Sequence, residues 1–180
     1  MTMKTKLFVI LALAALFSGC ELLKKATTID ITTDLTANVP VAVNPQQKSS
    51  GTTKAVAEIG FSETTVLDLA DNNDIEPYLE KIEKIDLKTL MVTVNGLDVE
   101  QAIYSVSLDV EGVGNIFTQT DITMANNSFT PDIAAGVLNQ VASKLESEKM
   151  ITLTVSGTVS GPMAFTVALN FETVLTAQVL

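Results

Sequence analysis

The sequence predicts a mainly β protein: an antiparallel β-sandwich of about seven to nine strands with two amphipathic helices packed on it. Three observations predict this fold class. Apolar residues alternate with threonine, serine and charged residues over most of the chain, which is typical of strands with one buried face. Turn-forming residues separate these runs. Only two stretches show the three- and four-residue apolar spacing of a helix.

Residues 27–180 are predicted to form a single domain, because about 150 residues is a typical domain size and is enough to bury a core. Its first part alternates over residues 27–36, and residues 39–43 continue that strand or pair with it. A polar loop follows at residues 44–51. Alternate apolar residues then predict a strand over residues 55–61, and residues 66–69 a further short one.

A run of acidic and amide residues at positions 71–74 has two interpretations. Clustered oxygen ligands suit Ca²⁺, and the candidate ligands are Asp71, Asn73 and Asp74. The run does not match an EF-hand loop, which needs an acidic or amide residue at its fifth position and glycine at its sixth. We therefore favour helix capping by Asn72 or Asn73, with no bound metal ion.

The first helix is predicted directly after this run. Glu80 and Lys84 are four residues apart and would form a favourable ion pair on its exposed face. The apolar residues on its inner face are Ile75, Leu79, Ile82 and Ile85.

The middle of the domain is predicted to return to strands over residues 90–94, 104–110 and 116–124. Asn95-Gly96 indicates a two-residue hairpin between the first two of these strands. Residues 111–114 contain two glycines and are predicted to form the next turn.

The second helix is predicted to begin at Thr130-Pro131-Asp132, which combines a capping hydroxyl, an N-terminal proline and an early acidic residue. It should continue to about Glu148 with one apolar face. That face consists of Ile133, Val137, Leu138, Val141 and Leu145.

The C-terminal third predicts two long strands separated by a turn at Gly161-Pro162. The first covers residues 151–159. Alternation then continues over residues 165–179, which is about three times the usual strand length. We therefore expect the last strand to bend or to serve two sheets.

The N-terminus has the three parts of an export signal. Lys4 and Lys6 provide positive charge, residues 7–17 form an apolar run, and Ser18 and Gly19 are small. An apolar run of about 11 residues spans roughly 16 Å as a helix, which is shorter than the hydrocarbon core of a bilayer.

The segment Leu16-Phe17-Ser18-Gly19-Cys20 resembles the lipobox of bacterial lipoproteins. The resemblance covers residues 1–20 and implies that signal peptidase II removes residues 1–19 and that Cys20 is then acylated, for example with palmitate. Cys20 is the sole cysteine, so it has no intramolecular disulfide partner. The alternative is an ordinary signal peptide with an incidental cysteine. Residues 20–26 would form a lipidated tether reaching at most about 20 Å from the bilayer.

The resemblance also implies a location in the cell envelope. In enteric bacteria, an aspartate directly after the lipid-bearing cysteine tends to retain a lipoprotein at the inner membrane. This chain has Glu21 at that position. We therefore expect the outer membrane, and its periplasmic face rather than the cell surface.

Composition excludes several functions. The sequence contains no histidine and no arginine, so histidine-based catalysis, the commonest metal ligand and bidentate phosphate recognition are absent. Two of the 11 lysines lie in the signal, which leaves nine against 21 acidic side chains. Nucleic acid is a poor partner for such a chain, and no cofactor is expected.

These observations favour a non-catalytic envelope lipoprotein that acts as an interaction, accessory or structural module for a protein partner. One alternative is a carrier of a lipid or another apolar ligand. A less favoured alternative is a hydrolase that uses carboxylates only. Its candidate residues are Asp98, Glu100, Asp109 and Glu111.

Overall fold

The computed structural model describes residues 27–44 and 58–179. The strands are β1 (Thr28–Val43), β2 (Ile59–Asp68), β3 (Ile82–Asn95), β4 (Ala102–Val110), β5 (Gly114–Thr123), β6 (Ser128–Phe129), β7 (Met150–Val159) and β8 (Met163–Gln178). One α-helix, α1, covers Ala135–Glu148. Three short 3-10 helices cover Leu69–Asp71, Glu76–Lys81 and Met124–Asn126.

The strands form two antiparallel sheets, so the predicted β-sandwich is confirmed. The first sheet has the order β1-β8-β3-β6, and the second has the order β2-β7-β4-β5. Strand 1 therefore pairs with strand 8, 2 with 7, 3 with 6, and 4 with 5. These pairs describe one long antiparallel ribbon rolled into two layers, which is the jelly-roll arrangement. The tip of the ribbon is the turn between β4 and β5.

The strand β1 follows directly from the alternation of its sequence. It pairs with β8 over its whole length, from Thr28 opposite Gln178 to Val43 opposite Met163, without a bulge. Its odd-numbered residues bury their side chains from Leu35 onward. As an edge strand, β1 also tolerates Pro40, because a proline there removes no hydrogen bond to β8.

The core fills the space between the two sheets with aliphatic and aromatic side chains. Phe171 is the largest of its fully buried residues. Phe61 of the second sheet contacts Phe165 of the first edge-to-face, with ring centroids 5.3 Å apart. Gly157 lies beside this contact, where an added Cβ would be 2.0 Å from the Ser105 carbonyl oxygen. Only glycine allows the backbones to approach this closely.

Helix α1 closes one side of the sandwich. Leu138, Val141 and Leu145 are buried in the core, and the helix packs against β3 and β7. The edge of β3 is covered by β6 at two residues only. Beyond β6, the Glu146 side chain of α1 accepts a hydrogen bond from the Ile85 backbone N–H at 3.4 Å. The helix therefore covers an edge that the short strand leaves open.

The prediction of the first helix was wrong except over the short 3-10 helix Glu76–Lys81. Ile82 and Ile85 belong to β3, and Lys84 lies 3.9 Å from Asp86 rather than pairing with Glu80. The reason is irregular pairing, because β3 shifts register against β8 between Ile82 and Lys84 and again between Leu87 and Thr89. Such shifts place inward residues three apart, as in a helix.

The second predicted helix exists, but it begins later than expected. Its first residue is Ala135, and no side chain caps it. Residues 130–134 are instead irregular. The apolar stripe at Leu138, Val141 and Leu145 determines where the helix packs. The five preceding residues link it to β6, and an extended chain covers about twice the distance of a helical one.

Three further predictions were wrong, wholly or in one of their alternatives. Asn95-Gly96 does not form a hairpin, because β3 and β4 belong to different sheets. Gly96 has a φ of 90°, and the chain crosses there from the first sheet to the second. A Cβ added at Gly96 would lie 3.5 Å from the Ala164 carbonyl oxygen. The long C-terminal strand β8 serves one sheet only, between β1 and β3. Residues 66–68 continue β2 rather than forming a separate strand.

The two ends of the sandwich carry different connections. At one end of the sandwich, β1 starts and β8 finishes, and we call this end the N-terminal end. It also carries the turn after β4 and the segment between β2 and β3. The far end carries the β3–β4 connection, the segment after β5 and the β7–β8 turn. The 16 residues of β1 span about 50 Å from one end to the other, whereas the nine residues of β4 span about 30 Å.

Candidate functional site

The predicted lipidation site lies outside the described residues. Cys20, the recognition residues Leu16, Phe17, Ser18 and Gly19, and the tether at residues 20–26 all precede Thr27. Lipidation therefore stays a prediction. The strand that follows the tether begins at the N-terminal end of the sandwich. Seven residues lie between Cys20 and Thr28, so the path between these two Cα atoms is at most about 28 Å.

The acidic and amide run at positions 71–74 forms a structural clamp. The Asn72 side-chain oxygen accepts a hydrogen bond from the Asp74 backbone N–H at 2.9 Å. Its amide nitrogen donates to the Asp34 backbone carbonyl at 3.1 Å and to the Thr33 hydroxyl at 3.2 Å. The Thr33 hydroxyl donates in turn to the Asp74 carboxylate at 3.3 Å. Asn72 thus supports the turn before Glu76–Lys81 and also holds β1. The predicted capping was wrong, because Ile75 is the N-cap of this 3-10 helix and no side chain caps it.

The clamp protects the exposed edge of the first sheet. The Thr27 carbonyl accepts a hydrogen bond from Val179 N–H. The backbone N–H and C=O groups of odd-numbered β1 residues therefore bond to β8, and those of even-numbered residues point away from the sheet. Asp34 is one of the outward-facing residues, and Asn72 occupies its carbonyl. Pro40 also faces outward and lacks an N–H group. Together they restrict the edge that another strand could join.

The four carboxylates considered for hydrolysis do not form one site. Asp98 and Glu100 lie in the β3–β4 connection at the far end, whereas Asp109 and Glu111 lie at the N-terminal end of the sandwich. The nine residues of β4 separate the two pairs by roughly 30 Å. Glycosidases place their two carboxyl groups within about 10 Å of each other, so no pair drawn from both ends can cooperate.

A second acidic arrangement lies on the outer face of the first sheet. Asp34 and Glu172 are directly opposite each other in neighbouring strands and line a depression of about 250 Å³. Like charges in this position are unfavourable. Asn170 donates to the Asp34 carboxylate at 3.4 Å, while its own side-chain oxygen is buried without a partner. Among the residues described, no three acidic, histidine or cysteine side chains are grouped to hold a metal ion.

A small charge cluster lies at the start of β3. Lys88 donates a hydrogen bond of 2.5 Å to the Asp86 carboxylate, and Lys84 is 3.9 Å from the same oxygen. The hydrogen bond from Lys88 and the positive charges of both lysines hold the pKa of Asp86 below its ordinary value of 3.8. Burial opposes this effect only in part. The three side chains lie at the surface, so we assign the cluster to stabilising the fold.

Two larger depressions are open to solvent. One of about 530 Å³ lies between Gly112 and the polar face of α1, where Lys144 bonds to Glu148 at 2.7 Å. The other, of about 700 Å³, lies near the far end beside Phe165, Ala164 and Pro40. Its lining is mostly small and apolar, which makes it the place where an apolar ligand would be sought.

The far end combines rigid loops with exposed apolar side chains. Val99 is 84% exposed at a turn between Asp98 and Glu100, and Met124 is 55% exposed. The two segments are neighbours because Ala102 pairs with Thr123 at the end of their strands. We define the far-end surface as residues 95–101, 121–127 and 160–162.

Hydrogen bonds fix these loops to the strands. The Asn127 side chain donates to the Val94 carbonyl at 2.9 Å, and Val94 N–H donates to the Asn127 carbonyl at 2.7 Å. The Ser160 hydroxyl accepts from Ala102 N–H at 3.1 Å. Asn126 accepts from the Thr123 backbone N–H at 2.6 Å. Hydrogen bonds to the ends of the strands therefore hold these loops in place.

Sequence patterning did not identify the far-end surface, because its members come from three separate connections. One local signal was available. Valine is a poor turn residue, yet Val99 lies in a short polar stretch between two acidic residues. A residue type that is unfavourable for its turn and contributes nothing to the core is expected mainly at functional or strained sites.

No protein-family model matches the sequence, and no curated protein matches it. Several solved structures of viral proteins are similar at low identity. Desmodium yellow mottle tymovirus matches at 14% identity over 84% of this chain and 90% of the viral chain, with a TM-score of 0.36. The BFDV capsid protein matches at 11% identity over 82% and 99%, with a TM-score of 0.40. Such scores carry no argument about function, and the fold assignment rests on the strand order.

Among residues 27–44 and 58–179, no helix is both long enough and apolar enough to span a bilayer. This observation does not bear on a lipid attached at Cys20.

Proposed function

We propose that the protein is a non-catalytic envelope lipoprotein, anchored through acylated Cys20 in the outer membrane on its periplasmic face. Its jelly-roll domain is an interaction, accessory or structural module for a protein partner. The observation that carries the proposal is the lipobox-like segment at residues 16–20, which ends on the sole cysteine of the chain.

The position of β1 is compatible with this anchor. The tether would enter the sandwich at its N-terminal end, where Thr28 begins β1. Two covalently attached chains or more hold a protein stably at a bilayer, whereas one is marginal. The far end would then project away from the membrane.

The chemistry of the described residues supports a function without catalysis. The chain has neither histidine nor arginine. Asn72, Asp74 and Glu146 are engaged in hydrogen bonds that cover strand edges. The four carboxylates considered for hydrolysis are divided between the two ends of the sandwich.

The experiment that tests the anchor compares wild type with Cys20→Ser in cells. The wild type should partition into the detergent phase and incorporate labelled palmitate, whereas Cys20→Ser should be soluble and unlabelled. Ser18→Ala is the matched control, because it keeps a small residue in the recognition segment and should retain the label. Equal membrane partitioning of wild type and Cys20→Ser would refute the proposal.

An apolar-ligand carrier is the second candidate, and the depression of about 700 Å³ beside Phe165 favours it. The packed core between the sheets disfavours it, because residues such as Phe171, Leu90 and Val92 fill that space. Native mass spectrometry of the gently extracted full chain separates the two functions. A ligand that co-purifies and is lost in Ala164→Trp would support the carrier.

A further inference from the structure

We infer that β1 carries tension between the membrane anchor and the rest of the domain, and that its ladder with β8 resists this tension in shear. In shear, the two strands are pulled along their length in opposite directions, so many hydrogen bonds share the load. The inference rests on the proposed function, because acylated Cys20 and a bound protein partner supply the two ends of the load.

The order of the chain sends the load into β1 first. Among the described residues, β1 is the first element after Cys20. A pull on Cys20 therefore acts on Thr28, at the N-terminal end of the sandwich. It passes to the neighbouring elements through the contacts of β1 before it reaches Val43, the last residue of the strand. A partner bound to any other part of the domain opposes the pull.

The ladder between β1 and β8 is suited to this load. It pairs all 16 residues of β1 with residues of β8 without a register shift. Half of the pairs in an antiparallel ladder exchange two backbone hydrogen bonds, so about 16 such bonds are stretched together. A typical strand has only about five or six residues. The ladders between β3 and β8 and between β4 and β7 both contain register shifts.

Burial divides β1 into two halves. From Leu35 onward, its odd-numbered residues are buried in the core. Sliding this half out of the sandwich would expose apolar side chains to water, which is unfavourable. In the half nearer the anchor, Ile29 and Ile31 are only partly buried. That half therefore depends on other contacts to resist a pull.

Side-chain hydrogen bonds supply these contacts. Thr176 of β8 donates to the Asp30 carboxylate at 2.7 Å, and Asn170 of β8 donates to the Asp34 carboxylate at 3.4 Å. At the outer edge of β1, the Asn72 side chain donates to the Asp34 carbonyl at 3.1 Å. The half of β1 that the core holds least is thus bonded on both of its sides.

The positions of the strand ends determine which pulls act in shear. The strand β8 begins at the far end, opposite Val43, and finishes at the N-terminal end, opposite Thr28. A load applied where β8 begins pulls the two strands past each other. A load applied where β8 finishes opens the ladder from its N-terminal end. An opening ladder breaks its hydrogen bonds one pair at a time, so it should open at a lower force.

Single-molecule pulling of the full, unlipidated chain compares these two geometries. Cys20 is one attachment point in both. The second is Gly161→Cys, in the turn before β8, or Gln178→Cys, at the end of β8. Both variants should fold, because nothing lies within 4 Å of a Cβ added at Gly161 and Gln178 is exposed. Urea unfolding checks this.

At equal pulling rates, the unfolding force with attachment at position 161 should be at least about twofold higher than with attachment at position 178. The reason is that the bonds of the ladder bear the load together in the first geometry. Equal forces, or a higher force at position 178, would overturn the inference.

A pair of proline variants tests whether the ladder with β8 resists the pull. The backbone N–H of Thr33 bonds to β8, whereas that of the neighbouring Thr32 points away from the sheet. Proline has no N–H group. With attachment at position 161, Thr33→Pro should lower the unfolding force, and Thr32→Pro should leave it near the wild-type value. Equal effects of the two substitutions would also overturn the inference.

The pulling experiment does not depend on the lipid, so its outcome is separate from that of the anchor. Equal forces in the two geometries, with palmitate labelling that depends on Cys20, refute the tension-bearing role of β1 and leave the anchor standing. Membrane partitioning that does not depend on Cys20, with a higher force at position 161, refutes the anchor and leaves the shear resistance of β1 standing.

Discussion

The two ends of the jelly roll use similar polar side chains for different purposes. At the N-terminal end, Asn72 and Glu146 occupy backbone groups of β1 and β3 that would otherwise be open to another strand. At the far end, Asn126 and Asn127 hold loops in place while Val99 stays in solvent. The comparison shows polar side chains that cover strand edges at one end and polar side chains that fix connecting loops at the other.

The largest expected effect comes from the core that joins the two ends. Gly157→Ala should destabilise the protein by at least about 3 kcal/mol, because the new Cβ would overlap the Ser105 carbonyl oxygen at 2.0 Å. Urea unfolding measures the change. Gly161→Ala is the control, since nothing lies within 4 Å of its added Cβ, and it should change stability by less than about 1 kcal/mol. Equal effects would contradict the close approach.

A smaller effect is expected from the clamp at the N-terminal end. Asn72→Ala should cost about 1–2 kcal/mol, because it leaves the Asp34 carbonyl and the Asp74 N–H without their side-chain partner. It should also increase concentration-dependent association, since the β1 edge is opened. Light scattering and thermal unfolding measure both effects. Asn73→Ala is the exposed neighbouring control and should behave as wild type.

The smallest effect concerns the charge cluster beside the N-terminal end. Lys88→Gln should cost about 0.5 kcal/mol at neutral pH, as is typical of a surface pair. Because the folded-state pKa of Asp86 is lowered, the stabilisation is present above its ordinary value of 3.8. It is lost as the pH falls through the folded value. Unfolding titrations of wild type and variant should converge once the pH is below the folded-state pKa of Asp86, and a difference that persists there would contradict the assignment.

The sequence predicted those parts of the fold that depend on local alternation. The strands β1 and β8 were expected because each buries every second residue along most of its length. The turn at residues 111–114 was expected because Gly112 and Gly114 allow positive φ, and both adopt it. Such features need only short-range information.

Features that depend on pairing between distant residues were not predictable in the same way. The register shifts in β3 imitate helical spacing at Ile82 and Ile85, and no local signal distinguishes the two. Asn95-Gly96 marks a turn, but the sequence does not indicate which sheet receives the next strand. The far-end surface was missed for the same reason, since the β-sheet pairing of Ala102 with Thr123 brings its segments together.

The most direct test of the account measures which end of the sandwich faces the membrane. Fluorescent labels placed at position 149 or 99 of the lipidated full chain, in vesicles with a headgroup acceptor, report the distance of each end from the bilayer. Lys149 follows α1 at the N-terminal end. The account predicts strong energy transfer from position 149 and little from position 99. Equal transfer from both positions, or stronger transfer from position 99, would contradict it.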